Sequence, residues 1–154
     1  LAAELGARSA DHLLALDADE REALRAAGVV ATLLPGTSLV LGKPYADGRA
    51  LVEDGVPVAI ATDCNPGSCA LENLAVVLGL ACYGNRLSPA EAICAATHNA
   101  AASLGLDREV GSLQPGRAAD LLRLATDDYR DLVYHAGSPL IDAVYQAGAR
   151  VHPS

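Results

Sequence analysis

Short apolar runs alternate with amphipathic segments over the first hundred residues. The runs at 29–34 and 58–62 contain β-branched residues, show no alternation of polar and apolar positions, and are followed by Pro35-Gly36 and by Asp63. Such runs are typical of strands that are buried on both faces of a parallel sheet. A shorter mixed segment predicts another strand, which ends at His12. The pattern therefore predicts three parallel strands with polar or turn residues at their carboxyl ends.

Capping signals mark the predicted helices between and after these strands. Asp17 and Glu20 form a capping box for a helix over 17–27 that ends at Gly28. Ser88, Pro89 and Glu91 begin another helix, which extends toward Leu104 and is either continuous or broken near His98-Asn99. Two further helices are predicted, one over 49–54 and a nearly all-apolar, buried one over 71–83.

The sequence changes character after Asp107. Turn residues and short apolar runs replace the helical pattern, with a strand predicted at 120–124 and a hairpin around Gly148. We therefore divide the chain into segments 1–107 and 108–154.

Composition narrows the range of functions. A chain of 154 residues with 19 acidic and 11 basic side chains carries a net charge of -8, so it has no basic surface for nucleic acid. No apolar stretch approaches the ~20 residues of a membrane span. Four cysteines without Cys-x-x-Cys spacing, and no leader-like start, favour reduced core cysteines in a cytoplasmic protein. The chain starts within a helical pattern without a start signal, so we expect it to be the later part of a longer protein.

The segment 61–68, Ala-Thr-Asp-Cys-Asn-Pro-Gly-Ser, is the richest candidate for chemistry. A carboxylate directly after an apolar strand can bind a metal or act as a base. The alternative is that Asp63 caps the following turn, and spacing alone leaves both interpretations open. Gly67 and Ser68 precede a predicted helix whose first amides would attract anions. His12 is expected at the same end of the sheet as Asp63, whereas we interpret His98, His135 and His152 as surface or packing residues.

Three motifs together resemble the imidazolonepropionase family of metal-dependent amidohydrolases. They are Ser9-Ala10-Asp11-His12-Leu13, Leu33-Leu34-Pro35-Gly36 and the 61–68 segment. The second half of the chain is similar to amidohydrolases in general, through Ser88-Pro89-x-Glu91, Thr97-x-Asn99-Ala100-Ala101, Leu104-Gly105, Gly111-x-Leu113-x-Pro115-Gly116 and Ala119-Asp120-Leu121.

The resemblance implies an α/β fold, namely the C-terminal part of a (β/α)8 metal-dependent hydrolase barrel plus part of a small β-sandwich. Segment 1–107 would supply the sixth, seventh and eighth barrel strands with their helices. Segment 108–154 would belong to the sandwich. One Zn²⁺ or Fe ion per complete active site is implied, with a small-molecule substrate and a homodimer for the full-length protein.

The resemblance also implies a reaction and assigns roles to five residues. The reaction is the hydrolysis of 4-imidazolone-5-propanoate to N-formimidoyl-L-glutamate by metal-activated water, in histidine degradation. Asp63 matches the last metal ligand and would also accept the water proton, while His12 matches the histidine that assists this water. Asn65 and Gly67 match positions that hold the product, and Ser68 matches one that holds the substrate.

The family's other metal ligands, a His-x-His pair and a further histidine, have no counterpart in this sequence. A catalytic zinc needs about three protein ligands, so we expect this polypeptide alone to be inactive. Two alternatives stay open. One is another amidohydrolase, acting on a different cyclic amide or on a deaminase substrate, although Asn65-Pro66-Gly67 argues against it. The other is a non-enzymatic α/β module that binds an anion near Ser68.

Overall fold

The computed structural model describes residues 1–152, which form six strands and seven helices. The strands are β1 (Ser9–Asp11), β2 (Val30–Leu33), β3 (Val58–Ile60), β4 (Leu121–Leu124), β5 (Ile141–Gln146) and β6 (Ala149–His152). The helices are α1 (Ala18–Ala27), α2 (Pro35–Val40), α3 (Gly48–Glu53), α4 (Leu74–Tyr83), α5 (Pro89–Ala96), α6 (His98–Leu104) and α7 (Asp131–Tyr134).

The first three strands form a parallel sheet in the order β1-β2-β3. Helix α1 connects β1 to β2, and α2 and α3 connect β2 to β3. Asp11 pairs with Thr32, and Thr32 pairs with Ala59. The carboxyl ends of all three strands therefore lie at one edge of the sheet, which is where the sequence predicts the candidate chemistry.

The main hydrophobic core surrounds this sheet. Its fully buried members include Leu33 on β2, Leu51 on α3 and Val77 on α4. Helices α5 and α6 pack against β3, and the Asn99 side-chain amide donates to the carbonyl of Val58 at 2.8 Å. The strands are thus apolar because helices cover them.

Both predicted capping boxes are confirmed. Asp17 and Glu20 exchange side-chain and backbone hydrogen bonds at the start of α1, and Ser88 and Glu91 do so at the start of α5. The helix predicted from Ser88 toward Leu104 is broken rather than continuous, since Thr97 (φ -122°, ψ -87°) separates α5 from α6.

Three local features differ from what the sequence predicts. Pro35 does not simply end a strand: it occupies the first turn of α2, where a missing N–H costs nothing. The apolar helix predicted from residue 71 begins at Leu74, because the Asn73 side chain caps it by accepting from the amides of Ala75 and Val76. The short helix α7 has no counterpart in the sequence prediction.

The last three strands form a separate antiparallel sheet in the order β4-β5-β6, with the predicted hairpin turning at Gly148 (φ 80°). Helix α7 packs against α4 and places Val133 in the core. The expected segment 108–154 extends over this sheet, and its last two residues lie outside the described residues.

The cysteine interpretation holds for only part of the set. Cys69 is buried and Cys82 half-buried, but Cys64 and Cys94 are exposed because they lie in the loop after β3 and on the outer face of α5. All four are free thiols.

Within residues 1–152, no helix combines the length and the apolar character that a membrane crossing requires.

Candidate active site

The candidate residues follow two outer strands of the parallel sheet. His12 comes directly after β1, and Asp63 comes three residues after the end of β3. Adjacent strands lie about 4.8 Å apart, so the ends of β1 and β3 are separated by about 10 Å across β2. The fold therefore brings the two predicted catalytic residues to one edge of the sheet.

Asp63 is held in a specific conformation. Its φ of 51° is in the left-handed region that non-glycine residues rarely adopt. The Thr37 hydroxyl donates to Asp63 Oδ2 at 2.5 Å. The Asn65 side-chain amide donates to the Asp63 carbonyl at 2.6 Å, with a longer contact of 3.3 Å to Oδ1. Strained backbone of this kind persists only where neighbouring contacts fix it, and it clusters at functional sites.

Asn65 organises the loop that follows β3. Its side-chain Oδ1 accepts from the backbone amides of Gly67 and Ser68, both at 2.8 Å. Its backbone amide donates to the carbonyl of Cys69 at 2.7 Å, which closes the loop. Among the described residues no backbone amide donates to the Asp63 carboxylate, so the alternative in which Asp63 caps this turn is wrong. Asn65 is the capping residue.

Ser68 does not lie at a helix start, and the amides that were expected to attract an anion there already have partners within the chain. Helix α4 begins six residues after Ser68, and Asn73 already accepts from its first amides. The amides of Gly67 and Ser68 are also occupied, by Asn65. The polar donors that the sequence places here are thus satisfied within the loop.

His12 is exposed and has a φ of 67°. Its backbone amide donates to the carbonyl of Thr32 at 3.0 Å, which fixes its position relative to β2. Leu13 is also left-handed, with a φ of 57°. In the part of the chain that the structure describes, the His12 imidazole makes no hydrogen bond, so its ring nitrogens are available to a ligand.

The metal-binding capacity of this edge is limited. Residues 1–152 contain no group of three His, Cys, Asp or Glu side chains that could hold a metal ion. A catalytic zinc typically has three protein ligands and a water molecule. Asp63, with Oδ1 only weakly engaged by Asn65, fits as one ligand of such a set and cannot replace the others.

The sequence predicts a role for the Pro35-Gly36 turn at this edge but does not identify Thr37, which follows it. Gly36 and Thr37 are both in the first turn of α2, which follows β2, and Thr37 is only 6% exposed. A Cβ atom on Gly36 would lie 3.0 Å from Cys69 Sγ and 3.2 Å from Leu71 Cδ1. Pro35 was the available signal, since proline favours the first turn of a helix and would have placed Thr37 at the carboxyl edge.

Comparison with known proteins identifies relatives that match almost the whole chain. The imidazolonepropionase of Rubrobacter xylanophilus is 50% identical over 99% of this chain, and that of Desulfotalea psychrophila is 48% identical over 99%. The chain spans about 37% of the length of these curated relatives.

A solved adenosine deaminase from Xanthomonas campestris, with bound zinc, superposes on 92% of the chain with a TM-score of 0.81. Its sequence identity is 24%, and the match covers 36% of that structure. A likeness at this identity shows a shared fold. The model of the amidohydrolase family matches residues 9–151, and the chain belongs to that family.

Proposed function

We propose that this chain is the part of an imidazolonepropionase that contributes Asp63 to the active site. The reaction is the hydrolysis of 4-imidazolone-5-propanoate to N-formimidoyl-L-glutamate. The observation that carries the proposal is the identity of 48–50% to imidazolonepropionases over 99% of the chain. The likeness to the deaminase, at 24%, supports the fold but not its substrate.

The proposal includes an architecture for the complete protein. Residues 1–107 supply the last three strands of a (β/α)8 barrel with their helices, and residues 108–154 belong to a small β-sandwich. The parallel order β1-β2-β3 and its connecting helices support the first part, and the separate antiparallel sheet supports the second. In such barrels, catalytic groups gather at the carboxyl ends of the strands.

A metal ion is part of the proposed site, either Zn²⁺ or Fe, and the zinc in the Xanthomonas structure supports the choice of a metal. When bound, such an ion would acidify water and polarise the substrate carbonyl. Because residues 1–152 contain no group of three His, Cys, Asp or Glu side chains that could hold a metal ion, the proposal requires further ligands from the part of an imidazolonepropionase that this chain does not span.

The residues of this chain would then act on the water and on the substrate. Asp63 Oδ1 accepts a proton from the attacking water and passes it to the leaving ring nitrogen, as a general base and then a general acid. The His12 imidazole, across β2, orients the water or donates to the oxygen on which charge develops. Both side chains are placed by left-handed backbone at strand ends.

Substrate and product would be held by the loop after β3. The amides of Gly67 and Ser68 currently donate to Asn65 Oδ1. A substrate carboxylate could take the place of that oxygen, with Asn65 turning its amide group to the ligand. The homodimer expected from the family resemblance, and the cytoplasmic location expected from the cysteine pattern, remain predictions.

A hybrid enzyme tests the proposal. This chain replaces the matching 153 residues of the Rubrobacter xylanophilus relative, and hydrolysis of 4-imidazolone-5-propanoate is followed together with the metal content. We expect one metal ion per chain and turnover with that substrate, and loss of turnover in the Asp63→Asn variant. We expect this polypeptide alone to show neither stoichiometric metal nor turnover.

The competing functions give different results in the same experiment. A folded hybrid that binds metal but deaminates adenosine or guanine, without opening the imidazolone ring, would overturn the substrate assignment. Stoichiometric metal and turnover by this polypeptide alone would contradict the need for further ligands. A cooperatively melting monomer that binds small carboxylates without metal would favour the non-enzymatic module.

A further inference from the structure

Thr37 makes an uncommon contact for a hydroxyl in a helix. Serine and threonine in or beside a helix can donate to a carbonyl three or four residues earlier. Thr97 donates to the carbonyl of Ile93 at 2.7 Å, and Ser103 to that of Ala100 at 2.8 Å. Thr37 instead donates to the carboxylate of Asp63, 26 residues away and on a different connection of the sheet.

The environment of this hydrogen bond makes it strong. Thr37 is only 6% exposed, so water competes little for its hydroxyl. The bond joins the hydroxyl to a carboxyl oxygen at 2.5 Å, in the short distance range of charge-assisted hydrogen bonds. The hydroxyl therefore fixes one oxygen of Asp63 and leaves Oδ1 with only the 3.3 Å contact from Asn65.

Gly36 allows α2 to approach closely enough for this contact. A side chain at this position would press on Cys69 Sγ and Leu71 Cδ1 in the loop after β3. The absence of a Cβ lets the first turn of α2 pack directly on that loop. The close packing and the hydrogen bond are separate observations that point to the same junction.

We infer that Thr37 is a positioning residue for Asp63, holding Oδ2 so that Oδ1 is the oxygen presented to the metal and the water. This inference rests on the proposed role of Asp63. Thr37 would act through the carboxylate, because its hydroxyl donates to Asp63 Oδ2. Hydrogen-bond partners of this kind typically change metal affinity or activity by about 10- to 100-fold when they are removed.

The test compares Thr37→Val, which keeps the shape and removes the hydroxyl, with Thr37→Ser, which restores a hydroxyl. Ser38→Ala is the matched control, because Ser38 is the next residue on α2, is 5% exposed, and makes no hydrogen bond with Asp63 among the described residues. In the hybrid enzyme we expect Thr37→Val to lower the affinity for the metal, measured by competition with a chelator, by about tenfold or more. We expect it to lower kcat by a similar factor. Thr37→Ser should recover most of both losses, and Ser38→Ala should change neither.

A second readout does not depend on metal or activity. In the 154-residue chain at neutral pH, Thr37→Val should change the carboxyl-carbon NMR shift of Asp63 and its side-chain conformer in a crystal structure, whereas Ser38→Ala should leave both unchanged. If Thr37→Val alters neither the Asp63 signal nor metal retention, the positioning role is wrong, even if imidazolone hydrolysis is observed. If the hybrid shows no such hydrolysis but the Asp63 signal and conformer still respond, the proposed function fails and the positioning role stands.

Discussion

The parallel and antiparallel sheets each contain three strands, yet they bury their side chains to very different extents. On β2, Ala31 and Leu33 are fully buried, and all of β3 is buried. On β6 every residue is exposed, and β5 buries only Ala143. The two sheets differ because helices cover the parallel sheet. In the antiparallel sheet, Leu122, Ile141 and Val151 remain exposed to solvent.

The parallel sheet with its helices therefore contains most of the buried apolar surface, and it also carries the candidate site. Burial of apolar surface is the main favourable contribution to folding, and most of the buried hydrophobic residues of the described chain belong to the cluster around β2 and β3. The antiparallel sheet is linked to that cluster through Val133 on α7. The carboxyl edge that carries His12 and Asp63 therefore rests on the more rigidly packed half.

Replacing a leucine by alanine in each sheet should give the largest difference in the free energy of unfolding. Leu33→Ala on β2 removes a fully buried side chain and should lower the free energy of unfolding by about 2–5 kcal/mol. Leu122→Ala on β4, where the leucine is 53% exposed, should cost less than about 0.5 kcal/mol. Urea denaturation measures both, and equal losses would contradict the contrast.

The parallel sheet with its helices is the first region of the chain, and the antiparallel sheet with α7 is the second. The contact between α4 and the segment after α7 joins them, and substitutions can disturb and then relieve it. A Cβ on Gly79 of α4 would lie 2.8 Å from the Cβ of Ala136, just after α7. Gly79→Ala should therefore cost about 1–2 kcal/mol from overpacking, after the gain in helix propensity is counted. Adding Ala136→Gly removes the clashing atom, and the double variant should recover the loss in thermal unfolding. A double variant no more stable than Gly79→Ala alone would show that the contact is not responsible.

A partly buried ion pair in the first region should make stability depend on pH. The Arg49 guanidinium donates to Glu91 at 2.5 Å and joins α3 to α5, with both side chains about 30% exposed. Arg49, together with the Ser88 amide, lowers the pKa of Glu91 from 4.5 to about 2. Since the folded state favours the ionised form, this contribution is present above pH 4.5 and is lost as the pH falls toward 2.

The Glu91→Gln variant tests this contribution. It should be less stable than the wild type by about 1–2 kcal/mol at pH 7, an amount that allows for solvent screening, and should lose less stability on acidification. Denaturant titrations at pH 7, 4 and 2.5 measure the difference. Parallel pH profiles for the two proteins would exclude Glu91 as the source.

The second region also contains an ion pair, between Arg130 and Asp128, and its removal is expected to have the smallest effect on stability. Arg130 lowers the pKa of Asp128 to about 2 as well, but solvent reaches this ion pair, with Arg130 67% and Asp128 38% exposed, and the two residues are only two positions apart. Such a pair forms in the unfolded chain too, so it distinguishes little between the two states. Arg130→Ala should leave the denaturation midpoint and its pH dependence unchanged. A clear shift would mean that this loop is more structured than its exposure indicates.

Local signals were sufficient to predict most elements of the first region. The capping residues Asp17 and Ser88 satisfy amides a few positions away, so the information lies within a short window of sequence. The apolar runs of β2 and β3 indicate burial directly. The two candidate catalytic residues were predicted to share an edge because parallel strands require it.

Contacts between distant segments could not be predicted in the same way. The bond from Thr37 to Asp63 depends on the close approach of α2 to the loop after β3, which no single window of sequence contains. Helix α4 begins three residues later than predicted because the Asn73 side chain accepts from the amides of Ala75 and Val76.

The loop after β3 has one further consequence, which concerns chemical ageing. Asparagine side chains usually deamidate when the backbone nitrogen of the following residue attacks the side-chain carbonyl. Asn65 is followed by Pro66, which has no backbone N–H, and its carbonyl oxygen is engaged by two amides. The residue that shapes this loop is therefore protected against conversion to an aspartate, which would place a second negative charge beside Asp63 and end its donation to the Asp63 carbonyl.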